Sequence, residues 1–238
     1  MLSVQLSKRR DKIVILRIGA VAGSVLLKPD VALRLVEGLR KAYPDAKYYL
    51  DFKTPMDLMV AAIISAQTRD ETVNRTTPAL FAKYRTARDY AKARPDKLAE
   101  EIRSVSFAGN KAKNIIAACK IVDGQYGGRV PRSMDQLAEL PGIGRKTANT
   151  ILINAYGIVE GIPVDTWVIK LSYRLGLSAN KDPDKIEADL KKIVPRRGWH
   201  NLAYVLKAHG KALCKDVPIC SKCPVSKICP KNGVGERI

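Results

Sequence analysis

The chain has 238 residues, 46% of them apolar, which is enough for one large or two small folded domains. No stretch reaches the roughly 18 uninterrupted apolar residues of a membrane-spanning helix, so the sequence excludes such a segment. Lys and Arg number 42 against 23 Asp and Glu, and the formal net charge of +19 favours a nucleic-acid partner over a thermophile's charged surface or attraction to a membrane.

The first predicted feature is a basic segment followed by an apolar run, which Arg17 interrupts. A secretory signal peptide tolerates charge poorly within its apolar region, so we do not expect secretion. The letters SKRRDK at residues 7–12 are compatible with a DNA-binding arm, an ordinary solvated segment or part of a targeting sequence.

Amphipathic helical segments then follow one another along the chain, and no convincing strand pattern interrupts them. Asp, Ser, Thr or Pro mark the helix starts, and Gly-rich or Pro-rich breaks separate the helices. The predicted helices begin at or just after residues 30, 54, 70, 86, 95, 109, 133, 144, 165, 182 and 198. The pattern therefore predicts an all-α fold.

A tight turn joins two of these helices in the segment ELPGIGRKTANT, residues 139–150. Gly142 and Gly144 let the backbone turn and approach a ligand closely, and the N–H groups that open the next helix favour an anion. Arg145 and Lys146 follow at once, although a helix N-terminus disfavours positive charge. A bound nucleic-acid phosphate would reverse the local sign. A plain helix–helix turn with Gly at the C-cap is the alternative.

Lys146 lies nearly opposite the apolar stripe of its predicted helix. Ala148, Ile151, Leu152 and Ala155 form that stripe at the spacing i, i+3, i+4, i+7. At about 100° per residue, the lysine points away from the core of its own domain. A solvated lysine and a lysine that faces a cleft both fit this pattern.

Four of the five cysteines lie close together near the C-terminus. Cys214, Cys220, Cys223 and Cys229 follow the pattern C-x5-C-x2-C-x5-C, whereas Cys119 is alone on an apolar stretch. Four thiols in so short a span indicate a metal site rather than a disulfide framework. Spacing alone does not separate tetrahedral zinc from a [4Fe-4S] cluster, because both take four cysteines.

In combination, LPGIGRKTAN, the VDT that follows it and the four-cysteine cluster resemble endonuclease III. This is the family of helix-hairpin-helix DNA glycosylases and AP lyases of base excision repair. The resemblance runs from about residue 31 to residue 230 and includes ISAQT at 64–68 and NKAKNI at 110–115.

The resemblance implies a two-lobed, all-α fold preceded by an N-terminal extension over residues 1–28. A helical barrel module would span residues 51–157 and contain the helix-hairpin-helix over 133–157. The second lobe would combine residues 29–50 and 158–238 and hold the cysteine cluster over 214–229. DNA would lie between Lys146 and Asp165.

The resemblance also implies the catalytic residues. The neutral amine of Lys146 would attack C1′ of the damaged nucleoside, expel the base and form a Schiff base from which the 3′ phosphate leaves by β-elimination. Such an amine needs a lowered pKa, which Arg145, the helix N-terminus and partial desolvation would all favour. Asp165 matches the family's catalytic aspartate and would stabilise the cationic transition state and shuttle protons. It also stands where a helix N-cap belongs, and both roles are compatible.

By the same resemblance, Gln67 and Phe107 contact the DNA. Base removal requires the nucleotide to leave the stack, and Gln67 would enter the gap while Phe107 acts as a second, intercalating wedge. Gly142, Gly144 and Arg145 would contact the phosphate backbone. The alternatives are a polar helix C-terminus for Gln67 and a core aromatic residue for Phe107.

The cofactor implied by the resemblance is a [4Fe-4S] cluster on the four cysteines, with zinc as the alternative. The expected partner is duplex DNA with a damaged pyrimidine or an abasic site, bound by a monomer in the cytoplasm and nucleoid, or in the nucleus of a eukaryote.

Two other functions stay open: a monofunctional mismatch glycosylase, and a non-catalytic helix-hairpin-helix DNA-binding protein with a zinc cluster. Lys146 argues against the first, and Lys146 with Asp165 against the second. Trp167 replaces the family's usual histidine and leaves the base preference open.

Overall fold

A computed structural model of the protein describes residues 24–238. Over this range the regular structure consists of eleven α-helices and two single-turn 3₁₀ helices, at Arg196–Gly198 and Cys220–Lys222. The α-helices are α1 (Pro29–Ala42), α2 (Pro55–Ser65), α3 (Asp70–Lys83), α4 (Ala87–Ala91), α5 (Pro95–Glu101), α6 (Ala108–Gln125), α7 (Met134–Ala138), α8 (Arg145–Tyr156), α9 (Thr166–Arg174), α10 (Pro183–Ile193) and α11 (Trp199–Ala212). The all-α prediction is confirmed. Most of the N-terminal extension predicted for residues 1–28, including SKRRDK, lies outside the described residues.

The helices pack as two compact units. One unit comprises Lys47–Asp165 with Arg196–Tyr204, and the other comprises the described residues up to Ala46, Thr166–Pro195 and Val205–Ile238. The predicted domain limits stay predictions. They are 51–157 for the barrel module and 29–50 with 158–238 for the second lobe.

Helix α2 is the most deeply buried helix of the first unit. Every residue from Met56 to Ile64 is buried, as expected for a helix that is apolar on all sides. Its start is capped twice: Thr54 Oγ1 accepts a hydrogen bond from Asp57 N at 3.1 Å, and Asp57 Oδ2 accepts one from Thr54 N at 2.9 Å. Helices α3, α6 and α8 pack against α2, so α8 stands directly on the core of this unit.

Helices α7 and α8 form the helical hairpin of the same unit. Ser133 Oγ accepts a hydrogen bond from Gln136 N at 3.4 Å, so the predicted N-cap of α7 is present. Leu140 and Ile143 are buried in the connecting turn, and the two helices pack against each other. The turn is therefore anchored to the core by its apolar side chains.

The second unit is built on helices α1, α9 and α10. Helix α10 packs against both α1 and α9, with Leu35, Leu39, Ile186 and Leu190 fully buried. Near the C-terminus, the buried Asn232 accepts a hydrogen bond from Val25 N at 2.9 Å and donates one to Tyr173 O at 2.9 Å. This amide ties the C-terminal loop to the rest of the unit.

Candidate active site

The turn between α7 and α8 depends on one of its two glycines for steric reasons. Gly142 has φ +83°, and a Cβ there would lie 3.1 Å from Asn114 and 3.3 Å from Ile63. Gly144 has φ −96° and forms the N-cap of α8, with nothing within 4 Å of an added Cβ. Gly142, Gly144 and Arg145 are all exposed. Their contact with a DNA phosphate stays a prediction.

Lys146 is the second residue of α8 and is partly buried. Burial lowers the pKa of its ammonium, because a charged group loses hydration there. The carboxylates of Asp165 and Asp70 act in the opposite direction and raise this pKa. Burial, rather than the neighbouring cation Arg145, is therefore the main cause of the lowering.

Asp165 comes from a different part of the chain but belongs to the same unit. It ends the buried segment 161–164 and directly precedes α9, as the sequence predicted. Its charge also helps to raise the pKa of two tyrosines, after burial as the main cause: Tyr49, and Tyr204, which reaches about 12. The fold thus brings Lys146 and Asp165 into one electrostatic neighbourhood.

Asp70 is a second carboxylate at this site, and the sequence analysis did not single it out. It is the first residue of α3 and acts on both Lys146 and Tyr49. An acidic residue in the first turn of a helix is ordinarily explained by the helix dipole, so its residue type alone did not distinguish Asp70. Its position directly after ISAQT and Arg69 was the available signal.

Tyrosines form part of the surroundings of these charged groups. The rings of Tyr48 and Tyr49 lie 4.7 Å apart, and those of Tyr48 and Tyr204 lie 5.8 Å apart. Asn154, on α8, donates a hydrogen bond to the Tyr204 hydroxyl at 2.6 Å. The tyrosines therefore link α8 to the segment before α2.

Gln67 and Phe107 share an uncommon backbone conformation. Their φ angles are +54° and +58°, the left-handed region that side chains other than glycine rarely adopt. Gln67 is exposed in the turn between α2 and α3, and Phe107 is the N-cap of α6 with 64% of its surface exposed. The alternative that Phe107 is a core aromatic residue is therefore wrong. Insertion into DNA stays a prediction for both residues.

The four clustered cysteines belong to the second unit and line one cavity. Arg174 Nη1 lies 3.7 Å from Cys214 Sγ, and His209 Nε2 lies 3.7 Å from Cys223 Sγ. Burial raises the pKa of the Cys229 thiol to about 11, which a bound metal would offset because it favours the thiolate. All cysteines are free thiols, and within residues 24–238 no three His, Cys, Asp or Glu side chains form a ready site for a single ion. A set of four thiols around a cavity nevertheless fits a thiophilic metal group in its donor chemistry.

None of the helices in the described part of the chain is long and apolar enough to cross a membrane.

Comparison with known proteins gives the same family as the motifs. Residues 60–196 match the family model described as HhH-GPD superfamily base excision DNA repair protein. Endonuclease III of Synechocystis sp. is 45% identical over 204 residues, covering 85% of this chain and 93% of the relative. Endonuclease III of Bacillus subtilis is 40% identical over 189 residues, covering 79% and 86%.

The fold is also similar to that of a solved structure with DNA. A trapped endonuclease III–DNA covalent intermediate superimposes with a TM-score of 0.83 and 36% identity, over 87% of this chain and 97% of that one. The predicted helix-hairpin-helix glycosylase fold is thereby confirmed. On motifs, relatives and fold together, the chain belongs to the HhH-GPD superfamily of base excision DNA repair proteins and, within it, to the endonuclease III family.

Proposed function

We propose that this protein is a DNA glycosylase and AP lyase that removes damaged pyrimidines from duplex DNA and nicks the strand 3′ to the abasic site. One observation carries the proposal: Lys146 is an amine whose pKa burial lowers, on a helix beside the carboxylate of Asp165. A primary amine of this kind is the group that a Schiff-base mechanism requires.

In the first step, the lone pair of the Lys146 amine attacks C1′, and the bond from C1′ to the base breaks with its electron pair leaving on the base. The C1′–O4′ bond then breaks, O4′ takes up the proton that Asp165 received from Lys146, and a protonated Schiff base joins Nζ to C1′. Loss of a proton from C2′ pushes electrons toward this iminium, and the C3′–O bond breaks to release the 3′ phosphate. The attack needs a neutral amine, which burial of Lys146 favours.

Asp165 stabilises the positive charge that develops on the sugar and accepts the proton that Lys146 loses. A fixed carboxylate in a partly desolvated site acts more strongly on such a charge than it would in water. The carboxylate also opposes the lowering of the lysine pKa, so its position balances nucleophile activation against transition-state stabilisation.

Duplex DNA is held and opened by the exposed groups of the same unit. The N–H groups of the α7–α8 turn and Arg145 bind the phosphate backbone, and Gly142 keeps that turn compact. Gln67 fills the space that the extruded nucleotide leaves, and Phe107 enters between neighbouring bases. The exposure of the Phe107 ring supports this role, because the ring is accessible to a bound duplex.

The four cysteines hold a [4Fe-4S] cluster, which supplies a structural or redox centre; zinc is the alternative. Cys214, Cys220, Cys223 and Cys229 line one cavity that Arg174 and His209 also line. The protein acts as a monomer where DNA is found, in the cytoplasm and nucleoid or in a eukaryotic nucleus, and is not secreted.

The deciding experiment is borohydride trapping on duplex DNA that contains thymine glycol or an abasic site. Wild-type protein is expected to give a covalent adduct that Lys146→Ala abolishes and Asp165→Asn weakens. Lys120→Ala, which removes an exposed lysine of α6, is the matched control and should trap normally. DNA binding without any adduct on either substrate would overturn the lyase mechanism and favour a hydrolytic mismatch glycosylase or a non-catalytic binder.

A further inference from the structure

Lys111 is a buried lysine that the proposed reaction does not use. It lies in the first turn of α6, its backbone N donates to Phe107 O at 3.1 Å, and only 5% of its surface is exposed. Burial lowers its pKa to about 8, because a charged group in the interior loses its hydration. An apolar side chain of similar size would occupy this position without that penalty. The amine therefore calls for an explanation in terms of its contacts.

Both hydrogen bonds of the amine go to the turn that carries Gln67. Lys111 Nζ donates to Ala66 O at 2.6 Å and to Thr68 Oγ1 at 2.8 Å. Ala66 and Thr68 are the two chain neighbours of Gln67, so Lys111 hydrogen-bonds to the turn on both sides of that residue. Charge-assisted bonds of this kind are stronger than those between neutral groups.

The same network reaches the segment that carries Phe107. Thr68 Oγ1 also accepts a hydrogen bond from Ser106 N, the residue before Phe107, at 3.3 Å. A second bridge joins α3 to this segment, where the hydroxyls of Thr76 and Ser104 lie 2.8 Å apart. Lys111 and Thr68 thus form the link between two turns that are almost 40 residues apart in sequence.

The two linked residues are the ones with left-handed backbone in their turns, Gln67 at φ +54° and Phe107 at φ +58°. That conformation is unfavourable for both side chains and persists only where the surrounding contacts impose it. The bonds from Lys111 and Thr68 lie directly beside both residues and supply such contacts.

We propose that Lys111 is a positioning residue that holds Gln67 and Phe107 in fixed register, so that both are arranged for insertion before DNA binds. The inference rests on the proposed function for the roles of these two residues. Fixing both side chains in advance removes an ordering cost from the step in which the nucleotide leaves the stack.

The test compares Lys111→Met, which keeps the length of the side chain but removes the amine, with Thr68→Val, which removes only the shared hydroxyl. Lys113→Met is the matched control, because it removes the same charge from an exposed position on the same helix.

Excision of thymine glycol is measured under single turnover at saturating protein. A 2-aminopurine base opposite a non-cleavable abasic analogue reports insertion in bound duplex. The pH midpoint of borohydride trapping on an abasic duplex reports the surroundings of Lys146.

Lys111→Met is expected to slow excision by about 10-fold to 100-fold and to reduce the 2-aminopurine change, with the trapping midpoint unmoved. Thr68→Val should act in the same direction, and the double variant should be little worse than Lys111→Met alone, because both act through one network. Excision at the wild-type rate by Lys111→Met would overturn the inference. So would a slower excision that is explained by a shifted trapping midpoint, or an equal loss in Lys113→Met. Absence of any adduct with wild-type protein would instead overturn the proposed function, while the 2-aminopurine signal would still decide the role of Lys111.

Discussion

Burial lowers the pKa of Lys146, and the carboxylate of Asp165 holds that pKa higher than burial alone would. Borohydride trapping should therefore increase with pH through this lowered pKa, as the amine becomes neutral. In Asp165→Asn the opposing charge is lost, so the midpoint of the pH profile should move to lower pH even though the maximal rate falls. The measurement is the single-turnover trapping rate on an abasic duplex between pH 5 and pH 10. A midpoint that moves to higher pH would contradict the assignment.

Asp70 should affect the pH profile of borohydride trapping without acting on the substrate. Its charge also raises the pKa of Lys146, so Asp70→Asn should lower the trapping midpoint while the maximal rate stays closer to wild type than in Asp165→Asn. Glu71→Gln, at the next position of α3, is the control for loss of a negative charge from this helix turn. Equal shifts in the two variants would show that the effect is general electrostatics and not the position of Asp70.

Substitution of Gly142 should lower the stability of the protein, whereas substitution of a helical glycine with open space should not. Gly142→Ala forces a side chain into φ +83° and against Asn114 at 3.1 Å, so we expect a loss of about 1–3 kcal/mol in the free energy of unfolding. Gly124→Ala, in α6 where an added Cβ meets nothing within 4 Å, should instead gain about 0.5–1 kcal/mol in the free energy of unfolding. Urea unfolding of the two variants tests the contrast, and similar changes in both would refute it.

Truncation of the Phe107 side chain should affect activity more than stability. Its ring is 64% exposed, so truncation removes little buried surface, whereas its left-handed backbone favours glycine. Phe107→Gly should therefore be more stable than Phe107→Ala by about 1 kcal/mol, because an L side chain costs about 1–2 kcal/mol in that conformation. Both variants should excise thymine glycol more slowly than wild type. An alanine variant as stable as the glycine variant would contradict the strain argument.

Metal content separates the two possible cysteine-bound groups without any assay of activity. Protein purified without oxygen should carry about four iron and four sulfide per chain if the group is a [4Fe-4S] cluster. A zinc site would give about one zinc and no sulfide. Cys229→Ser should lose the group, and Cys119→Ser, which alters the buried cysteine of α6, should retain it.

Helix starts were predictable because their signals are local. Thr54 with Pro55, Ser133, and Asp182 with Pro183 each mark the first turn of a helix, and each of the three side chains caps the helix that was expected after it. Within α8, the burial of Ala148, Ile151 and Leu152 likewise follows the predicted apolar stripe, whereas Ala155 is only partly buried.

The partners of Lys146 and Lys111 were not predictable in the same way. Asp70 acts on Lys146 from α3, and the amine of Lys111 reaches Ala66 across more than 40 residues of chain. Such contacts depend on how α3 and α6 pack, which composition and periodicity do not encode at the level of single side chains. Of the three causes expected to lower the pKa of Lys146, burial is the one that the structure shows.

The packing of α8 on α2 has a consequence for how the protein loses activity on heating. Lys146 stands at the start of a helix that rests on the most enclosed segment of its unit, residues 56–64. Backbone amides in such a segment are expected to exchange hydrogen only when the whole unit opens. The helix that carries Lys146 should therefore unfold only together with its unit, and thermal inactivation should coincide with global denaturation of this unit.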